Sequence, residues 1–169
     1  MLYYFAYGSN MLHERLQRRV SSANPMGVAK LGGYRLAFRK RSMDGSAKCD
    51  LVSDTASEAY GVLFEMKEEE LPFLDRAEGV GFGYERVERQ LYYRTREIGA
   101  FLYLAQPRYI TTTDLPYSWY LQFVLHGAKQ NALPPAYIQR IASTPRKEDD
   151  DIERVQRNHD ILREANIES

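Results

Sequence analysis

A chain of 169 residues is close to the size at which one domain encloses a single hydrophobic core. Lysine plus arginine equals aspartate plus glutamate at 23 each, which leaves no net field to gather nucleic acid or anionic lipid. Cys49 is the single cysteine, which excludes an internal disulfide and a thiolate metal cluster and fits a reducing, cytoplasmic setting.

The chain opens on Leu2 to Ala6, a short apolar and aromatic run bounded by Gly8, which reads as a buried strand. It carries neither a basic leader nor a long apolar stretch, so a soluble protein without a membrane span is expected. Met11, Leu12, Leu16 and Val20 follow at the spacing of a short amphipathic helix over Met11 to Val20. Gly27 to Arg39 and Glu58 to Met66 alternate as strands. The polar segment between them, Lys40 to Ser57, reads as a loop with a short strand at Lys48 to Val52. Lys67 to Ala77 is predicted helical, with acidic residues in its first turn, Pro72 near its start and a stop at Gly79. Tyr84 to Arg94 and Glu97 to Gln106 form a hairpin, which makes six strand candidates in all. Tyr117 to Lys129 and Pro135 to Ser143 are two helices, the second preceded by Pro134. From Thr144 to Ser169 charge dominates. A weak helical pattern at Ile152, Val155, His159 and Leu162 suggests a surface helix or a partly ordered arm, apart from a main domain over residues 1–143. Consecutive strands with few intervening helices disfavour a doubly wound sheet. The expected fold class is α+β, a small, mainly antiparallel β-barrel with helices packed outside.

Two segments could carry chemistry. At Tyr7-Gly8-Ser9-Asn10 a strand turns at glycine into a helix, which leaves the first backbone N–H groups without partners and builds an anion site or oxyanion hole. Capping of the helix by Ser9 or Asn10 explains the same residues equally well. At Leu74-Asp75-Arg76-Ala77-Glu78-Gly79, the glycine looks like the residue just past a helix end, which puts Glu78 in the last turn. There the helix dipole disfavours a carboxylate, and dipole and burial together would raise its pKa toward what a base needs near neutral pH. A solvated surface glutamate is the plainer reading of the same spacing. His13, His126 and His159 are scattered without a metal-ligand spacing, and no metal or other cofactor is expected. The acidic run Glu148 to Asp151 lacks the alternation and glycine of a calcium loop and reads as solvated charge.

Tyr4 to Met11, Tyr60-Gly61-Val62, Leu74-Asp75 with Glu78-Gly79-Val80, and Tyr120 with Gly127-Ala128 and Leu133-Pro134 together resemble the γ-glutamylcyclotransferase family, over roughly Leu2 to Ala142. The resemblance implies an active pocket at the mouth of a barrel, between the glycine turn and the glutamate. Carried over, Glu78 matches the family's catalytic acid/base. Tyr4, Phe5, Ala6, Tyr7, Gly8 and Ser9 match its substrate-binding turn, to which Asn10 is adjacent, and Tyr120 and Tyr84 match pocket tyrosines. The implied reaction is intramolecular aminolysis of a γ-glutamyl compound to 5-oxoproline with release of an amino acid. A γ-glutamylamine cyclotransferase and a non-catalytic small-anion binding module on the same fold are the alternatives. The expected partner is thus a small-molecule γ-glutamyl substrate, not nucleic acid or membrane, and the oligomeric state is left open between monomer and homodimer.

Overall fold

The computed structural model describes the backbone of residues 1–168 and the side chains of residues 1–165. Five strands close into a barrel in the order β1 (Leu2–Ala6), β3 (Ala47–Met66), β2 (Asn24–Arg41), β4 (Tyr84–Tyr93), β5 (Arg96–Ala105). Every neighbouring pair is antiparallel except β1 against β5, which meet in parallel through Tyr4 and Phe101. The expected mainly antiparallel barrel is the observed one. β1 is buried because it lies between two neighbours, which is why its residues read as a continuous apolar run rather than an alternation.

The segment expected as a loop is the main correction. Strands β2 and β3 run for 18 and 20 residues, and the candidates at Lys48 to Val52 and Glu58 to Met66 are parts of one strand. The register jumps from Gly32 opposite Glu58 to Tyr34 opposite Ser53, so Asp54 to Ser57 loop out as a wide bulge, where Asp54 accepts from Ala56 N–H and Ser57 O–H. Bulges bend a strand and sharpen its twist without ending it. A polar, serine-rich stretch therefore sits inside a strand that continues on both sides.

The first predicted helix is shorter than its apolar stripe. Ser9–Met11 is a single 3₁₀ turn, and α1 covers only His13–Gln17, while Met11, Leu12, Leu16 and Val20 are all buried as the spacing implied. Neither Ser9 nor Asn10 caps it: the cap residue is Leu12, and the first helical N–H, that of His13, donates instead to Gln130 Oε1 at 3.1 Å. Helix α2 (Leu71–Glu78) ends where predicted. Gly79 adopts a left-handed φ of 67°, and the N–H groups of Gly79 and Val80 return to the carbonyls of Arg76 and Asp75.

Helices α3 (Ser118–Gln130) and α4 (Pro135–Ala142) lie outside the barrel, with α3 against the 3₁₀ turn. That contact is close: a Cβ on Gly127 would lie 2.7 Å from the backbone nitrogen of Leu12 and 2.8 Å from Met11 Cβ. On the other side of the turn a Cβ on Gly8 would lie 2.9 Å from Cys49 Cβ in β3. The charged C-terminal stretch forms α5 (Ile152–Glu168), which packs on α1 and α3 and buries Leu162 and Ala165, while Ser169 lies outside the described residues. Its acidic run is not solvated throughout. Asp149 is almost fully enclosed, held by the Arg154 guanidinium at 2.6 Å and by the indole N–H of Trp119 at 2.9 Å.

Candidate active site

Strand β1 ends at Ala6 and its chain turns over the barrel mouth toward the C-terminus of α2, which brings the two predicted segments together. Asn10 is the joint between them. Its side-chain amide donates to Glu78 Oε1 at 2.7 Å and to the Tyr4 hydroxyl at 3.0 Å, while its oxygen accepts from Arg19 at 3.2 Å. Arg19 also donates to Glu78 Oε1 at 2.8 Å. Glu78 Oε2 has no partner among the described residues. The helix-end argument for Glu78 lacked this guanidinium.

These residues face a cavity of about 30 Å³, lined by Tyr4, Tyr7, Gly8, Ser9, Asn10, Cys49, Glu78, Tyr84, Tyr103 and Tyr120. The N–H groups of Gly8, Ser9 and Asn10 donate to no protein acceptor among the described residues, since the 3₁₀ turn uses only those of Met11 and Leu12. A row of unpaired N–H groups beside a carboxylate is a setting in which negative charge on a ligand oxygen can be stabilised. Gly8 is needed for steric reasons, because β3 passes too close for any side chain there.

The tyrosines are tied in two ways. Tyr7 and Tyr84 donate their hydroxyl protons to the carbonyls of Tyr103 and Cys49. Tyr4 and Tyr120 instead accept, from the Asn10 amide and the Cys49 N–H. Burial pushes the pKa of Tyr4, Tyr7, Tyr84, Tyr103 and Tyr120 far above the usual phenol range, so all five stay neutral. Burial also pushes the Cys49 thiol up to about 12, which leaves it without thiolate character at neutral pH.

Of the residues singled out in the sequence, Tyr4, Tyr7, Gly8, Ser9, Asn10, Glu78, Tyr84 and Tyr120 converge on this cavity. Phe5 and Ala6 are buried in the core and do not line it. Cys49 and Tyr103 line it without having been singled out, and Arg19 was missed as the partner of Glu78. Tyr103 is held by Asp75, which accepts its hydroxyl proton at 2.8 Å. A β5 tyrosine in a plain alternating run gives no local signal of such a role.

Beside the cavity lies a second space of about 120 Å³ that shares Ser9, Glu78, Tyr84 and Tyr120 as lining and adds Arg15, Arg19, Lys40 and Lys48. A larger hollow, about 450 Å³, lies elsewhere, between the β2–β3 hairpin and α4. Its one carboxylate, Glu58, is paired with Lys30, and none of the convergent residues reaches it. Size alone therefore does not choose the site, and the convergent polar groups do. No three His, Cys, Asp or Glu side chains gather as metal ligands among the described residues. No helix there is long and apolar enough to cross a membrane.

Residues 58–141 match the model of the AIG2-like family. The γ-glutamylcyclotransferases of mouse and of human are each 32% identical to this chain over 145 residues, which is 82% of this chain and 76% of theirs. The chain belongs to the γ-glutamylcyclotransferase family. A solved structure of a γ-glutamyl cyclotransferase superposes on it with a TM-score of 0.78 at 28% identity, over 91% of this chain and 96% of that one. Family membership fits the barrel with its mouth site, and it supports an enzyme that acts in this family's chemistry.

Proposed function

We propose that the protein is a γ-glutamylcyclotransferase: it closes the γ-glutamyl group of a γ-glutamyl amino acid or peptide into 5-oxoproline and releases the amino acid or peptide. The observation that carries this reading is that Glu78, whose Oε2 has no partner among the described residues, and Gly8, Ser9 and Asn10, whose N–H groups have none, line one small cavity.

The chemistry asks for three things. The substrate's α-amine must be deprotonated to attack the γ-carbonyl carbon. The attacking nitrogen gives up two protons on its way from ammonium to lactam N–H, and Glu78 Oε2 passes them one at a time to the departing nitrogen, which leaves as an ammonium, so the net proton balance is zero. As the new C–N bond forms, the γ-carbonyl oxygen takes up negative charge, and the N–H groups of Gly8, Ser9 and Asn10 stabilise it until the bond to the leaving nitrogen breaks. The chain must also be curled so that amine and carbonyl meet, an effect worth roughly 7–11 kcal/mol when the geometry is good. Tyr7 and Tyr84, whose protons are already donated, offer lone pairs to the substrate's ammonium. Tyr4 and Tyr120 keep hydroxyl protons that no strong acceptor claims, and these suit the α-carboxylate.

The cavity is about the volume of one liquid water molecule, so a γ-glutamyl group fills it only by extending into the outer space. The test is 5-oxoproline release from γ-glutamyl-alanine by the native protein and by Glu78→Gln, which keeps the side chain's shape and removes its basicity. Full turnover by the variant would remove Glu78 as the base.

A further inference from the structure

The outer space contains a largely enclosed guanidinium that pairs with no carboxylate. The side chain of Arg15, in the middle of α1, makes no hydrogen bond and no ion pair among the described residues, and its Nε is enclosed without a partner. Its guanidinium lies over the Phe123 ring at 4.4 Å, which supports it from behind. Burial, and Arg19 beside it, lower its pKa to about 10, a sign of how poorly the site solvates it. Desolvating a guanidinium without pairing it is costly, and natural proteins pair such groups or use them on a ligand. The other cations of this space are not equivalent. Arg19 is committed to Glu78, and Lys48 to Asp44 at 2.9 Å. Lys40 stands opposite with no carboxylate partner among the described residues, its ammonium 4.9 Å from the Tyr84 ring. Two cations without a carboxylate partner among the described residues thus line the outer space, together with the carboxylate assigned to proton transfer.

We propose that Arg15, with Lys40, forms a subsite for a carboxylate on the leaving group, so that the protein selects γ-glutamyl compounds whose departing part is an amino acid or peptide and discriminates against γ-glutamylamines. This rests on the cyclotransferase reading above. The γ-glutamyl moiety spans the inner cavity and the adjoining part of the outer space, and the leaving nitrogen projects outward past Glu78. A carboxylate one carbon beyond that nitrogen then meets the guanidinium, whose planar fork suits it. A bare alkylamine in the same place leaves Arg15 unpaired, and a site with an unpaired polar group rejects the ligand that fails to pair it.

The experiment compares kcat/KM for γ-glutamyl-alanine with that for γ-glutamyl-ethylamide, which lacks only the carboxylate side of the leaving group, in the native protein, Arg15→Met and Lys40→Met. The native ratio is expected to exceed roughly tenfold, as for a charge-assisted contact, and to fall by about that factor in Arg15→Met and by less in Lys40→Met. The melting temperature of Arg15→Met should hold or rise, because an uncompensated buried charge has been removed. A structural arginine would instead lower the melting temperature and reduce both substrates alike. A ratio near one in the native protein, or one unchanged in both variants, overturns the proposal. Should Arg15→Met not fold, Lys40→Met carries the same comparison. Calorimetric titration with succinate separates this proposal from the cyclotransferase reading. Succinate bound by the native protein and lost in either variant supports the subsite even if no γ-glutamyl compound turns over. No binding to the native protein counts against it.

Discussion

Two carboxylates in this protein are each held by an arginine, and they differ in what remains unused. Asp149 spends both oxygens: Oδ1 accepts from Arg154 at 2.6 Å and from the Asp151 N–H at 3.0 Å, and Oδ2 accepts from Arg154 at 2.6 Å and from Trp119 at 2.9 Å. Glu78 spends one oxygen on Asn10 and Arg19 and leaves the other toward a cavity. The first arrangement ties the residues before α5 to α3 and closes on itself. The second fixes a carboxylate while keeping a lone pair for something not in the protein. The saturation of its oxygens marks Asp149 as an anchor, and the free oxygen of Glu78 is what the proposed reaction uses.

The strongest test of that contrast is to exchange the two effects. Glu78→Gln should lower kcat for 5-oxoproline formation by roughly 10²–10⁴-fold, the usual worth of a positioned base, with a melting temperature close to native. Asp149→Asn should do the reverse: turnover stays near native while the melting temperature falls by several degrees, as read by thermal unfolding. Arg154 and Trp119 hold the Asp149 carboxyl well below the usual carboxylate range. Its stabilising effect is therefore fully present above about pH 4 and is lost as pH falls further. The stability difference between native and Asp149→Asn should shrink on acidification.

Smaller effects sharpen the site half of the comparison. Asn10→Ala removes the amide that joins Glu78 to Tyr4 and should cost roughly tenfold to a hundredfold in kcat with little change in KM, because it misplaces the base without removing it. A larger effect on KM would make Asn10 a substrate contact instead. Lys48 gives the smallest signal. Burial lowers its pKa to about 8, against an ordinary value of 10.5, with Asp44 opposing the shift and Arg15 and Lys40 adding to it. Between those two values the unfolded chain binds the proton that the folded one has lost, so folding becomes more favourable as pH rises through that window. The stability of the native protein relative to Lys48→Met should increase from about pH 8 upward in urea titrations.

The sequence made legible what depends on neighbours in the chain. The left-handed Gly79 after α2, the β4–β5 hairpin and the α3–α4 pair each follow from local spacing and turn chemistry, and the structure has them within a few residues. The β2–β3 hairpin was not legible, because the Asp54 to Ser57 bulge has the composition of a loop and its strand character comes only from pairing across to β2. The site was half legible. Glu78 stood out by breaking the helix-end charge rule, and Gly8 by its turn. Arg19 and Arg15 carried no mark, since an arginine on a short helix is ordinary until the fold places one against Glu78 and leaves the other with nothing. Asp149 was read as solvated because its partners, Trp119 and Arg154, lie 30 and 5 residues away.

The 3₁₀ turn that carries the unpaired N–H groups is gripped from both sides at points where only glycine fits, by β3 at Gly8 and by α3 at Gly127. In water, charge appearing on an oxygen is met by solvent dipoles that must first rotate, and that reorientation is part of the barrier. Here the dipoles are peptide groups locked between a strand and a helix, and their alignment was settled when the chain folded. In the proposed reaction the rigidity of this turn is thus itself a catalytic asset. It also means that a methyl group added at Gly127, on the far side of the turn from the cavity, would loosen the aim of those dipoles without touching a single atom of the substrate.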